Sequence, residues 1–185
     1  MNSKQLQLQA LMVLVTMVLF VAMLAINEWL FTHLEFARGI NWIYLPAGVR
    51  LLSTLLFAEA GAIGLLLVSW LVCFFYFFPD DPVRSLAGGI LAALGPYLIY
   101  RAAQHRYGLH ASLATLTPKR LLILIVAYSL ASPLLMHLWF ALQGQEGLVQ
   151  GFLVMFIGDL SGTLLVIYTV KGALYFMPFK ASRLH

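Results

Sequence analysis

Six stretches of this chain are apolar over lengths at or near what a bilayer crossing needs, and no other property limits its fold as strongly. A hydrocarbon core of about 30 Å takes roughly 20 apolar residues in a helix. Composition agrees: hydrophobic residues make up 62%, charged residues 10%, and mean hydropathy is +0.92. A soluble domain is nearer half apolar and about a quarter charged. The expectation is an all-α, polytopic transmembrane bundle forming one integral membrane domain over residues 1–185, with no room for a soluble catalytic domain.

The first stretch runs from about Leu8 to Phe31, interrupted at its far end by Asn27 and Glu28. It is too long for a cleaved signal peptide and no A-x-A site follows it. The second is short, from Trp42 or Pro46 to Ala58; the third runs from Gly61 to Phe78 and ends at the turn signal PDDP. The fourth spans Ser85 to Tyr100, the fifth Leu121 to Leu142 with Pro133 inside, and the sixth Leu148 to Val170. Cys73, the lone cysteine, lies in an apolar run and reads as a packing residue.

Basic residues set the orientation. With the N-terminus inside and six crossings, the inner loops and tails hold Lys4, Arg101, Arg106, Lys119, Arg120, Lys171, Lys180 and Arg183. The outer loops hold only Arg38 and Arg84, a positive-inside pattern with both termini cytoplasmic. The net charge of +4 and pI near 9.4 are thereby explained by topology and lipid contact, and nucleic-acid binding is not expected. The segment carrying Arg101, His105, Arg106, Lys119 and Arg120 is a topology determinant or a docking surface for a cytoplasmic partner. Trp42, Tyr44, Phe77, Phe78 and Trp139 are placed as an outer aromatic belt.

Two charges fall inside apolar segments: Arg50 in LPAGVRLLSTLLF and Asp159 in FLVMFIGDLSGTLLVIY. A charged side chain at mid-bilayer costs roughly 2.5–3.5 kcal/mol on insertion scales, so such groups face a bundle interior and find partners. Counting from Trp42 and Leu148 as the outer face puts Arg50 about 12 Å deep and Asp159 about 16 Å deep, on helices expected to be antiparallel. Gly158 and Gly162 make a G-x-x-x-G around Asp159, and Ala47 and Gly48 keep the opposing helix slender, so backbones can approach. Ser53, Thr54, Ser161 and Thr163 add hydroxyls. Pro46 suits a first helical turn, leaving residues 41–45 to enter the membrane extended and line a pocket on the outer side. His137 is either a ligand-contacting residue of that pocket or a hydrogen-bonded packing residue. Three readings of the charges stay open: a pair fixing helix register, a pair binding a small polar ligand, ion or proton, and two charges that never meet while Arg50 snorkels outward. Glu59 reads as an interfacial carboxylate at the inner turn. No metal-ligand spacing and no Walker, nucleophile-elbow or zincin motif occurs, and neither a catalytic residue nor a cofactor is assigned.

NWIYLPAGVRLLSTLLFAEAGAIGLLLVSWL, residues 41–71, and GDLSGTLLVIY, residues 158–168, resemble the early and late motifs of the MASE1-type integral membrane sensor domain. The matching positions are Pro46, Ala47, Gly48, Gly158, Asp159 and Gly162. The resemblance implies a non-enzymatic sensory module of the bacterial inner membrane. Arg50 departs from the apolar residue expected there, and the helices are fewer than the family's usual eight. With no output domain among these residues, signalling would pass through a separate protein partner. Sensor or scaffold is the leading expectation; the alternative is a transport component resembling a substrate-binding subunit of an energy-coupling-factor transporter.

Overall fold

The computed structural model describes residues 3–109 and 116–176. Five helices account for nearly all of it: α1 (Ser3–Phe31), α2 (Pro46–Val72), α3 (Pro82–Tyr107), α4 (Pro118–Leu142) and α5 (Leu148–Phe176). A small antiparallel hairpin, β1 (Glu35–Ala37) with β2 (Ile40–Asn41), joins α1 to α2. All five helices are long and apolar enough to cross a membrane, α2 being counted through the wider turn at Cys73–Phe77. Prolines open α2, α3 and α4 at their first turns, where a missing amide proton costs nothing, and Asp81 and Thr117 cap α3 and α4 by accepting from Arg84 and Arg120 amides. Leu56, Leu67, Leu130, Leu134, Leu153 and Leu165 stay exposed, as lipid-facing positions do.

The second and third predicted segments fall within the single span Pro46–Phe77, and that span is not straight. Ala58 leaves the helical region, with φ 53° and ψ −127°. Gly61 then lies so close to Ser53 that a Cβ there would overlap the Ser53 carbonyl. Contacts with α1 show the consequence. Leu45 donates its amide to Asn27 Oδ1 at 2.8 Å, and Tyr76 donates its hydroxyl to Glu28 Oε2 at 3.2 Å, so both ends of the span lie beside one end of α1. Residues 46–57 run against α1 and the part after Ala58 runs with it. Ala58 occupies a backbone conformation that ordinarily favours glycine.

Glycines elsewhere set how closely the helices meet. Gly64 lies against Thr16 and Val13 of α1, Gly89 lies under the Trp70 ring, and Gly95 packs 3.2 Å (from an added Cβ) to Ser132 of α4. The strongest case is on α5. A Cβ at Gly158 would overlap the Asn41 carbonyl, and one at Gly162 the Tyr44 carbonyl; one at Gly48 would come 2.6 Å from Val166 Cβ. Residues 41–45 therefore lie as non-helical chain in the groove that Gly158 and Gly162 leave, with Tyr44 donating its amide to the Gly158 carbonyl at 3.1 Å.

This contact corrects two expectations. Successive α5 residues 158, 162 and 166 meet successive positions 41, 44 and 48, so α5 and the start of α2 run parallel, not antiparallel. Ser161 also donates to the Trp42 carbonyl at 3.2 Å, which puts Trp42 level with the middle of α5. Trp42 is thus no marker of the membrane face, because the hairpin dips between helices before α2 begins.

The opposite end of the bundle collects the basic residues. The first turns of α1 meet residues 57–60, Arg101 lies 3.8 Å from Glu59, and Lys119 and Lys171 border one surface groove. His105, Arg106, Lys119 and Arg120 are exposed there, and Arg120 sits 5.0 Å from the Tyr107 ring. His110, Lys180 and Arg183 lie outside the described residues.

Candidate functional site

At the hairpin end, the helices enclose a cavity of about 50 Å³. Its floor is Arg50, carried one turn into α2 and 7% exposed. The side chain lies on two rings, 5.3 Å from the Phe20 centroid and 5.1 Å from that of Tyr44, and Nη2 donates to the Tyr44 hydroxyl at 3.4 Å. Its Nε has no protein partner among the described residues. Arg84, in the first turn of α3, forms another wall, 4.0 Å from the Phe78 centroid and 5.4 Å from that of Phe140. Arg38, at the tip of the hairpin and exposed, completes the lining, with Nη2 donating to the Tyr76 carbonyl at 2.9 Å. The turn Cys73–Phe77 closes one side; its wider spacing bonds the Phe78 amide to the Cys73 carbonyl at 2.8 Å, and Ser85 Oγ donates to Cys73 and Phe78 carbonyls.

Behind Arg50 lies a second polar group, buried between α4 and α5. Asp159 is 1% exposed and interacts electrostatically with Arg50, yet no ion pair within 4.0 Å joins them among the described residues. Ser132 is its side-chain hydrogen-bonding neighbour, although neither carboxylate oxygen makes a bond of full geometry. The Tyr128 hydroxyl, beside the Arg50 guanidinium, and the Ser129 and Thr163 hydroxyls are equally buried and unsatisfied by protein. A buried polar group without a partner costs about 1–3 kcal/mol, so a helix bundle that keeps several together is arranged for bridging water, a ligand or a shifted conformer.

Comparison of the chain with protein-family models, with curated proteins and with solved structures gives no match.

Arg50 and Asp159 belong to one polar region and not to a contact pair. Thr54 is occupied structurally, donating to backbone carbonyls of its own helix at 2.9–3.2 Å and lying 3.4 Å from the Pro96 carbonyl of α3. Thr163 is buried within the Asp159 group. His137 sits apart from the cavity lining: Nδ1 is 2.9 Å from the Pro133 carbonyl, its ring packs edge-on to Phe140 and Phe152, and Gly151 makes room for Nε2. That is the packing alternative for His137. Gly48, Gly158 and Gly162 are all close-approach positions, and Pro46 begins α2.

Sequence reasoning missed Arg38 and Arg84 as cavity residues, because both had a sufficient explanation as loop charges. It also missed Asn27, whose side chain holds the Leu45 amide, and Ser69 and Tyr128. A polar Asn inside an apolar run was the available signal. Tyr44, Phe77 and Phe78 wall the cavity, whereas only Trp42 of the supposed belt's hairpin side is exposed to its surroundings. Among the described residues no group of His, Cys, Asp and Glu has the arrangement of a metal site.

Proposed function

We propose that this chain is a non-enzymatic, sensor-like or scaffold subunit of a bacterial inner membrane, similar in role to MASE1-type domains. In this reading it crosses six times, the reversal at Ala58 separating the second and third passes, with the basic end and both termini in the cytoplasm. Lys4, Arg101, Arg106, Lys119, Arg120 and Lys171 at one end support that orientation. The carrying observation is the position of Arg50, which is both the floor of the cavity and the electrostatic partner of the buried Asp159 group. A ligand that engages Arg50 changes what the guanidinium offers Tyr44, Tyr128 and Asp159, and through them the packing of α2 against α4 and α5. Bistable packing of that kind transmits a small local change to a distant surface. The exposed basic surface around Arg101, His105, Arg106, Lys119 and Arg120 is where a cytoplasmic partner would read it.

The test is a gentle-detergent purification of tagged protein from its native host, with wild type, Arg50→Ala and Asp159→Ala side by side. A partner that copurifies in stoichiometric amount, and that either substitution releases while the protein stays folded, is the expected result. Protein that emerges alone, with both variants merely less heat-stable, would make the charges architectural and overturn the reading. A copurifying ATPase would favour the transport alternative.

A further inference from the structure

Three arginines line the hairpin-end cavity, and no carboxylate is among its described lining residues. Arg38, Arg50 and Arg84 come from three separate elements: the hairpin, α2 and α3. Of the nearby acids, Asp159 acts on Arg50 from behind the cavity and Asp81 acts on Arg84 from the start of the same helix, while the others meet different donors. Glu35 accepts from the Gly39 amide at 3.0 Å, Asp81 from the Arg84 amide at 2.9 Å, and Glu28 from the Tyr76 hydroxyl at 3.2 Å. Among the described residues the one ion pair is Arg101 with Glu59, at the other end of the bundle. The three cations rest on the faces of aromatic rings, a compensation of about 0.5–2 kcal/mol each that leaves in-plane N–H donors free beyond those Arg38 gives the Tyr76 carbonyl and Arg50 the Tyr44 hydroxyl. Among the described residues, two buried donors on the lining lack a protein partner, Arg50 Nε and Ser69 Oγ, on residues 7% and 2% exposed. Arg84 Nε is a third unpartnered donor.

An anion entering a low-dielectric enclosure lined by cations and unpartnered donors gains charge-assisted hydrogen bonds. We infer that this cavity binds an oxyanion, a carboxylate or phosphate group, held by Arg50 at the floor, Arg84 at the wall and Arg38 at the mouth, with Ser69 donating a neutral hydrogen bond. Its volume of about 50 Å³ leaves room for such a group, and Phe77, Phe140 and Met136 provide an apolar flank for whatever carries it. The inference rests on the sensor-like reading only for its consequence, since it names what that reading's cavity recognises. The oxyanion belongs either to a free small molecule or to an anionic lipid.

The experiment measures thermal unfolding of the full chain in dodecyl maltoside during titration with inorganic phosphate and with propionate, ionic strength being held constant with chloride. A parallel series uses nanodiscs of phosphatidylcholine with and without phosphatidylglycerol. A saturable stabilisation is expected, weakened at least about tenfold by Arg84→Gln and by Arg38→Gln, the loss typical of one charged hydrogen-bonding group. Lys4→Gln, exposed at the opposite end, should leave it unchanged. Saturation by phosphate or propionate identifies a free oxyanion; stabilisation only with phosphatidylglycerol, with the same variant sensitivity, identifies a headgroup. No saturable response in any medium, or one indifferent to both variants, overturns the site. Anion binding without a copurifying partner would keep the site and defeat the sensor reading; partner release by Arg50→Ala without anion binding would do the reverse.

Discussion

Gly162→Val is expected to lower the melting temperature of the purified protein by about 6–12 °C, corresponding to about 3 kcal/mol for a chain of this size. Gly162 faces backbone, not a side chain that could rotate away: an added Cβ would overlap the Tyr44 carbonyl and lie 2.9 Å from the Leu45 amide nitrogen. That same amide is held by Asn27, so the chain at 44–45 is pinned from α1 and α5 at once and cannot retreat without breaking a buried hydrogen bond. Gly172→Val, on the same helix with nothing within 4 Å, is the matched control and should be close to neutral. Circular-dichroism or fluorescence melts of the two variants decide the matter; equal stability would mean that residues 41–45 do not lie in the α5 groove.

Arg50→Ala is expected to be comparably costly, about 3 kcal/mol, for an electrostatic reason. Removing one member of a buried charge set leaves the other in an apolar bundle without compensation. Here the remaining charge is Asp159, 1% exposed, and the lost cation also abandons its stacking on Phe20 and Tyr44. Asp159→Asn keeps the shape and removes the charge, and should cost less, about 1 kcal/mol. The cycle carries the information: Arg50→Ala should be milder by at least about 0.5 kcal/mol in the Asp159→Asn background, because the uncompensated charge is gone. Strict additivity in detergent unfolding would show that the two groups act independently.

The parts of this account that were legible in sequence share a cause. Arg50 and Asp159 stand out because an apolar run penalises a charge wherever the run lies in space. Gly158 and Gly162 stand out because their spacing puts both on one face of any helix, and the non-helical chain before Pro46 follows from what proline excludes. What failed depended on register between elements distant in the chain. The depth of Arg50 was measured from Trp42 as if it lay at the membrane face, but the β1–β2 hairpin carries Trp42 level with Ser161. The antiparallel expectation failed differently: counting both segments inward from the outer face already makes them parallel, as the contact of Gly158 with Asn41 shows. Arg38 and Arg84 were hidden for a different reason: an arginine in a loop beside a membrane already has a sufficient explanation, and only the converging geometry shows that both face the cavity above Arg50.

In the proposed orientation the cavity faces outward and carries a positive field, and the chain has its own reporter. Cys73 is its single cysteine and lines that cavity with Arg38, Arg50 and Arg84. Labelling rates of Cys73 in spheroplasts by membrane-impermeant anionic and cationic methanethiosulfonates, divided by their rates with a free thiol, report the local potential, and the thiol's own ionisation cancels in the ratio. The anionic reagent should be favoured from the outer side, and Arg84→Gln should shrink the preference. A cationic preference, or reaction only from the cytoplasmic side, would contradict it.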